Sequence, residues 1–392
     1  MKQYLVVSSC TTRGNSGGLT AGLINHLNSV KNGYFEISLF DIGFFNYNRC
    51  IDAYDIKEYF VFPTYSIDRL IRKIPLIRGY YAERIITKAL DKLLRNNHFD
   101  LIIIHEIPAF ADKIVSIAHK YGAKVVFYPW GSDILRRTNK IKKRLKNAFN
   151  EVDYVTGNIG SNCTISVIDD YGVSKSKLRL KKKMFLKGIK AIDEVKGMYS
   201  KQDMLKRIGL PPSDYIIVCG YNGYSAQRHK LIIESVCDNY SVLPDNYLLV
   251  FPITYGCNEQ YYNELNELCE NNNVNACFLR EYLTDEQMAL LHLSTDLFIE
   301  IQPTDCGNAF MIEALYASNQ IITGKWLKYK QFEQFGPPYY LIDKPEDLSK
   351  QLHLIFTGEE QSVVVPEKLK NLYKYPTMSQ EDDIWVSLAC EL

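Results

Sequence analysis

The stretch that decides the fold is Asp296–Lys325, DLFIEIQPTDCGNAFMIEALYASNQIITGK. It reads as a buried strand (Leu297–Ile301), a polar loop (Gln302–Asn308), a helix (Ala309–Ala317) and a second strand (Gln320–Thr323). A loop that runs from a buried strand into a helix lies at the carboxyl edge of a sheet, where open α/β folds hold ligands. The helix dipole and the unsatisfied first-turn amides favour an anion there, a phosphate above all. Two carboxylates bracket the turn, Asp305 and Glu313, with seven residues between them. Glu313 stands inside an apolar helix with Phe310, Met311, Ile312, Ala314 and Leu315 around it. A charge is costly in such surroundings unless it has a partner.

The rest of the chain extends this unit. Its 392 residues, 46% hydrophobic and 23% charged, are enough for two globular domains. No apolar run approaches the length of a membrane-spanning helix, and the first residues lack a signal peptide's apolar region. Ten cysteines without C-x-x-C or His/Cys ligand spacing read as reduced thiols in a cytosolic protein, with no zinc site. The net charge of +1 hides a polarity. Residues 1–200 carry +14 and residues 201–392 carry −13, which points to two domains with different tasks.

Strands alternate with helices through the first half: Gln3–Ser8, Phe35–Phe40, Asp100–His105, Lys124–Tyr128 and Tyr154–Thr156, with helices Gly17–Leu27, Ala82–Asn96, Ala109–Tyr121 and Lys140–Asn150. Residues 44–80 read as irregular. After the lysine-rich Lys175–Lys190, taken as the crossover, the pattern restarts with strands Tyr215–Cys219, Tyr247–Phe251 and Ala276–Leu279. Buried strands joined through helices imply parallel sheets with right-handed crossovers. The expected architecture is two doubly wound α/β domains facing each other across a cleft. The first spans 1–190 and the second 191–378, with an amphipathic segment, 379–392, packing back on the first.

Strand ends of the second domain deliver chemistry to one edge. Gly220-Tyr-Asn-Gly-Tyr224 carries Asn222 and leads to Arg228 and Lys230 at a helix start, two cations able to clamp a diphosphate. The competing reading is an exposed basic helix start. Tyr282 offers a face for a base, or merely covers the sheet edge. The amides of Gly307, Asn308 and Ala309 are expected to receive phosphate oxygens. Asp305 is placed to accept from sugar hydroxyls, and Glu313 to accept from a vicinal diol such as a ribose. The rivals are a solvated loop carboxylate for Asp305 and a salt bridge to a neighbouring helix for Glu313.

In the first domain Gly14-Asn-Ser-Gly-Gly18 follows the first strand but is not G-x-G-x-x-G, so it is no dinucleotide fingerprint. Gly17 and Gly18 can still offer amides to a phosphate. His105 ends one strand, and Pro129-Trp-Gly-Ser-Asp133 ends the next. His105 and Asp133 are candidates for general base or acceptor orientation, and Trp130 for stacking on a sugar. Structural roles compete for all three. Three basic segments, Arg69–Arg78, Lys140–Lys146 and Lys175–Lys190, suit an anionic membrane surface. No groove-reading helix or stacking platform supports nucleic acid.

Taken in order, the Gly-Gly loop, the Gly-Ser-Asp turn, the basic Arg/Lys turn and the carboxylate-x7-Glu element resemble the GT-B glycosyltransferases. The resemblance is in particular to the retaining family-four type used in capsule, O-antigen and glycolipid synthesis. The resemblance implies that Glu313 binds the nucleotide ribose and Asp305 faces the donor sugar. It implies that Arg228 or Lys230 holds the diphosphate and that Gly17-Gly18 approaches the same phosphates. Asp133 matches the family's His-Gly-x-Asp turn. The first motif carboxylate here is Asp instead of Glu, and Trp130 stands where the family often has His. The Tyr-Asn-Gly and Thr-Tyr-Gly loops are also similar to an inverting transferase that adds an acetamido-fucose to lipid-linked oligosaccharide.

The implied activity is transfer of a sugar from a nucleotide-sugar donor to a glycan or lipid-linked acceptor, with no metal or other cofactor. The implied location is cytoplasmic, peripheral on the inner face of the plasma membrane. A sugar-nucleotide epimerase and a non-catalytic binding subunit of a polysaccharide assembly complex are the rival functions.

Overall fold

The computed structural model describes residues 1–8, 15–31, 33–43, 56–61, 71, 74–158, 161–181, 187–305, 307–374 and 383–392. The chain divides into two compact units. One comprises Met1–Ile159, Cys163–Lys182 and Thr377–Leu392; the other comprises Gly160–Asn162 and Lys183–Pro376.

The first unit holds seven parallel strands: β1 (Lys2–Ser8), β2 (Phe35–Asp41), β3 (Glu58–Val61), β4 (Leu101–His105), β5 (Lys124–Tyr128), β6 (Tyr154–Asn158) and β7 (Leu178–Lys181). Their order is β3-β2-β1-β4-β5-β6-β7. The central β4, Leu-Ile-Ile-Ile-His, is buried at every position, as expected for a strand covered by helices on both faces. The helix Ile384–Glu391 returns to this unit. Its Trp385 is fully buried among Tyr4, Leu23 and Val126, and the Tyr4 hydroxyl donates to the Trp385 carbonyl at 3.0 Å.

The second unit repeats the plan with six parallel strands: β8 (Tyr215–Cys219), β9 (Tyr247–Pro252), β10 (Ala276–Leu279), β11 (Leu297–Glu300), β12 (Gln320–Gly324) and β13 (Tyr340–Ile342). The order is β10-β9-β8-β11-β12-β13. Both sheets therefore reverse direction of growth at one place, between β1 and β4 and between β8 and β11. That reversal leaves a crevice at the carboxyl ends of the two strands.

Two features differ from expectation. Residues 44–80, read as irregular, include β3 and the start of the helix Pro75–Asn96. The strand sits at the sheet edge and is only half covered, so it lacks the apolar run that marks a buried strand. The helix opens with Pro75, which is favourable at a first helical position. Its first turns leave Ile77 and Tyr80 exposed, which breaks the periodicity that marks the helix from Ala82 onward. The lysine-rich crossover segment likewise contains the edge strand β7, held by the Arg179 guanidinium 4.6 Å over the Tyr154 ring and paired with Glu391 at 2.7 Å.

Candidate functional site

The loop after β11 is built around Asp305. One of its carboxylate oxygens, Oδ2, accepts from the amides of Gly307 (2.8 Å) and Asn308 (3.1 Å), from Asn308 Nδ2 (3.1 Å) and from the Tyr329 hydroxyl (2.9 Å). Asn308 then caps the helix Ala309–Ala317 by accepting from the Met311 amide at 2.8 Å. The loop turns so tightly that Gly307 has φ +83°, and a Cβ there would stand 2.2 Å from Gln331 Nε2. This corrects the expectation for the helix start: the amides of Gly307 and Asn308 are occupied by Asp305. The outward amides are those of Ala309 and Phe310, which have no acceptor among the described residues. Tyr329 is fully buried, and burial together with the charges of Asp305 and Glu300 raises its hydroxyl pKa well above the ordinary value.

Glu313 lies a little over one turn into that helix and is buried, with 8% of its surface exposed. Its partner is His292, on the helix Asp285–Ser294 that precedes β11: Nε2 stands 3.1 Å from Glu313 Oε2. The imidazole packs on Phe310 with ring centroids 4.3 Å apart. From a third helix, Lys187–Val195, Gly188 presses on the same carboxylate. A Cβ on Gly188 would lie 2.0 Å from Glu313 Oε1. The contact to a neighbouring helix, held open as the rival reading, is therefore present, and the partner is a histidine.

The loop after β8 brings Asn222, Gln227 and Arg228 to the same edge. Asn222 is buried, and its Oδ1 accepts from the Tyr224 amide at 3.0 Å. Gln227 Nε2 donates to Gln302 Oε1 (3.2 Å), Gln302 Nε2 to the Tyr221 hydroxyl (3.2 Å), and Trp326 Nε1 to the Gln302 carbonyl (2.8 Å). This network joins the loops after β8, β11 and β12. Arg228 adopts a left-handed backbone with φ 61°, a conformation that a non-glycine residue rarely keeps without a reason. Its guanidinium is half-buried 5.6 Å from the Trp326 ring, it forms no ion pair among the described residues, and Nη1 is buried without a partner. Burial lowers its pKa, with Glu346 opposing. Lys230 differs: its ammonium is on the surface, paired with Glu264 at 2.6 Å. Tyr282 is 55% exposed and stacks on Tyr255 (6.3 Å, 7° between planes), which in turn meets Tyr224 edge-on at 6.2 Å. A row of three tyrosines thus crosses the ends of β8, β9 and β10.

In the first unit His105 ends β4 at the reversal point. Its Nδ1 lies 3.2 Å from Thr20 Oγ1 and 3.4 Å from Ser8 Oγ, and those hydroxyls are 2.8 Å apart. Trp130 meets the His105 ring edge-on at 4.6 Å. Asp133 is buried. Its Oδ1 accepts from the amides of Trp130 (2.9 Å) and Gly131 (2.8 Å), and its Oδ2 from the Ile107 amide (2.8 Å). The carboxylate thereby ties the loop after β4 to the loop after β5. Burial pushes its pKa up to about 6, against the lowering effect of those amides. Gly17 and Gly18 belong to the first turn of the helix Asn15–Val30, and Gly14 lies outside the described residues. Of the basic segments, Arg69, Arg72 and Lys73 also lie outside them, as do residues 379–382 of the returning segment. Lys140, Lys143 and Lys146 are exposed on the helix Asn139–Glu151.

Sequence reading missed His292, Gly188, Tyr329, Gln302 and Trp326. Only His292 carried a signal, as an imidazole in an otherwise apolar run before β11. The others act through tertiary contacts with no local pattern. Among the described residues no group of three or more His, Cys, Asp or Glu could hold a metal ion, and no helix is long and apolar enough to cross a membrane.

No protein-family model matches the chain, and no curated protein matches it in sequence. Solved structures do match. A glycosyltransferase from Rickettsia africae ESF-5 is 13% identical with a TM-score of 0.65, covering 100% of this chain and 96% of its own. Anabaena Alr3699/HepE in complex with UDP and glucose is 13% identical with a TM-score of 0.64, covering 100% and 98%. Sucrose-phosphate synthase from Thermosynechococcus elongatus is 12% identical with a TM-score of 0.66, covering 100% and 97%. With two parallel Rossmann-like sheets that reverse at the same point, and full-length likeness to these enzymes, the chain has the GT-B fold.

Proposed function

We propose that the chain is a nucleotide-sugar-dependent glycosyltransferase whose second unit binds the donor. The observation that carries this reading is Arg228, a half-buried cation whose Nη1 is buried without a hydrogen-bond partner and which feels the Glu346 carboxylate without pairing to it, at the sheet edge that also presents the Ala309 helix start and Glu313. Such a cation is stable next to an anionic ligand, and the amides of Ala309 and Phe310 add a second phosphate contact. Glu313 accepts from the ribose diol, and Tyr282 with its stacked neighbour Tyr255 gives the base a flat face. Asp305 shapes the loop that faces the donor sugar. The Anabaena structure holds UDP and glucose, which makes UDP-sugars the first donors to test.

Transfer breaks the bond between the anomeric carbon and the diphosphate oxygen and forms a bond to the acceptor oxygen, whose proton leaves to a base. Arg228 and the helix-start amides stabilise the negative charge that develops on the departing diphosphate. On the first unit, His105 is the acceptor-side base and Trp130 the stacking surface, with Asp133 holding both loops in place. We assign the acceptor to a glycan or lipid-linked saccharide of cell-surface polysaccharide synthesis, and the stereochemistry to retention on the strength of the Asp305-x7-Glu313 spacing. Exposed Ile74, Ile77 and Tyr80 beside Arg78 and the lysines of Asn139–Glu151 suit a peripheral contact with anionic lipid.

The test is release of nucleoside diphosphate from UDP-sugars with and without lipid-linked acceptors, with the product's anomeric configuration read by NMR. Acceptor-dependent release supports the proposal. Conversion of the donor without acceptor would make the protein an epimerase, and binding without turnover would make it a binding subunit. Sedimentation with anionic vesicles at low and high salt tests the membrane contact.

A further inference from the structure

We propose that His292 is a positioning residue for donor recognition, donating the hydrogen bond that orients the Glu313 carboxylate toward a vicinal diol. The inference rests on the reading of Glu313 as the diol acceptor and adds what holds that carboxylate in place.

Three helices converge on Glu313. His292, in the last turn of Asp285–Ser294, places Nε2 at 3.1 Å from Oε2, and the side chains are 1% and 10% exposed. Glu313 is the ring's one hydrogen-bond partner among the described residues, because Nδ1 is buried without any. The ring's position is fixed twice over. Phe310, one turn before Glu313, packs on it. Asn319 Nδ2 donates to the carbonyls of His292 and Thr295, both at 2.8 Å, so the end of the helix cannot fray. Gly188 closes the other side of the carboxylate with bare backbone. An ionised carboxylate offers about four lone-pair sites. His292 takes one from within the fold, and Glu313 still reaches the surface.

The experiment titrates UDP, ADP, GDP and CDP into the full chain by calorimetry, then compares the tightest binder with its 2′,3′-dideoxy counterpart. Binding is measured in wild type, His292→Ala, His292→Gln, Glu313→Gln and the His292→Ala/Glu313→Gln double variant. A charge-assisted hydrogen bond of ordinary strength corresponds to roughly a 10- to 100-fold change in affinity. His292→Ala is expected to weaken the ribonucleotide by about that factor and to leave the dideoxy nucleotide almost unchanged. His292→Gln, whose amide can donate to Glu313, should recover most of the loss, and in the Glu313→Gln background His292→Ala should add little. Equal weakening of both nucleotides, or equal weakening in both backgrounds, would show that the ring only packs and would overturn the proposal. Should His292→Ala not fold, His292→Met fills the space without donating and carries the same comparison. Unchanged binding in Glu313→Gln would instead overturn the donor reading of Glu313. A full loss at Glu313 with none at His292 would overturn this inference alone.

Discussion

The backbone of Gly188 lies against the carboxylate of Glu313 so closely that no side chain fits between them: a Cβ would meet Oε1 at 2.0 Å and Oε2 at 2.9 Å. Contact at 2.0 Å is far inside van der Waals range, so either the helix Lys187–Val195 or the carboxylate must move when Gly188 gains a methyl group. Across the ring of His292, movement of the carboxylate breaks a 3.1 Å hydrogen bond.

Gly188→Ala is therefore expected to keep the fold and impair the site. Alanine is the better helix former by about 1 kcal/mol, which offsets part of the strain. Nucleotide affinity should fall roughly tenfold, the equivalent of about 1.4 kcal/mol, while circular dichroism stays that of wild type. Calorimetric titration checks it, and unchanged affinity would mean that the Glu313 position does not matter to binding.

Arg228 combines a left-handed backbone, a half-buried charge and no ion-pair partner among the described residues. Replacing it with glycine relieves the backbone strain, about 1–2 kcal/mol for a non-glycine residue in this region, and removes the desolvated cation. The ligand-free Arg228→Gly protein should melt a few degrees higher than wild type, and nucleoside diphosphates should bind at least tenfold more weakly. Calorimetry and thermal melting together read both effects. A variant less stable than wild type with normal affinity would contradict the role given to Arg228.

Asp305 accepts four hydrogen bonds on one oxygen. Truncation to alanine leaves two amides, an Asn side chain and the buried Tyr329 hydroxyl without their acceptor. The expected loss is roughly 2–4 kcal/mol of stability in the second unit, measured by urea denaturation. Loss of activity without loss of stability would place Asp305 in the chemistry alone.

The parts of the fold that were legible from sequence are those whose signal is local. The strand β11 and the helix Ala309–Ala317 lie within a residue of their expected positions, because apolar runs and cap residues act over a few positions. β3 and β7 were hidden because edge strands need no apolar run. The inward turn of Asp305 was hidden for another reason. Asp-x-Gly-Asn also suits a solvated loop, and the hydroxyl of Tyr329, 24 residues away, holds the carboxylate in the interior. The partner of Glu313 needed the packing of three helices, which no spacing in the chain encodes.

Asp133 makes a prediction with a definite sign. Its folded pKa is raised by burial to about 6 from an ordinary 3.8, so the folded state binds the proton more tightly than the unfolded state. Stability from this group is present below pH 4 and is lost as pH rises to 6, about 3 kcal/mol in total, after which it is flat. Glu83, lowered from 4.5 to about 2 chiefly by its hydrogen bond from Arg144, acts in the opposite sense mainly between those two values and is common to both proteins in the comparison below. The stability of wild type minus that of Asp133→Asn should thus fall between pH 4 and 6.5 in urea titrations. A difference that does not change with pH would show that the Asp133 carboxyl does not titrate in that window.

In the proposed function, the carboxyl edge of β8 and β11 holds a nucleoside diphosphate through Arg228, the Ala309 helix start and Glu313. The most direct measurement is the affinity of the full chain for UDP, ADP, GDP and CDP, by calorimetry, in wild type and in Glu313→Ala. At least one nucleotide is expected to bind wild type in the micromolar range and to lose tenfold or more in affinity in Glu313→Ala. If none of the four binds, or if the one that binds does so equally well without the Glu313 carboxylate, the donor site is not where we have placed it.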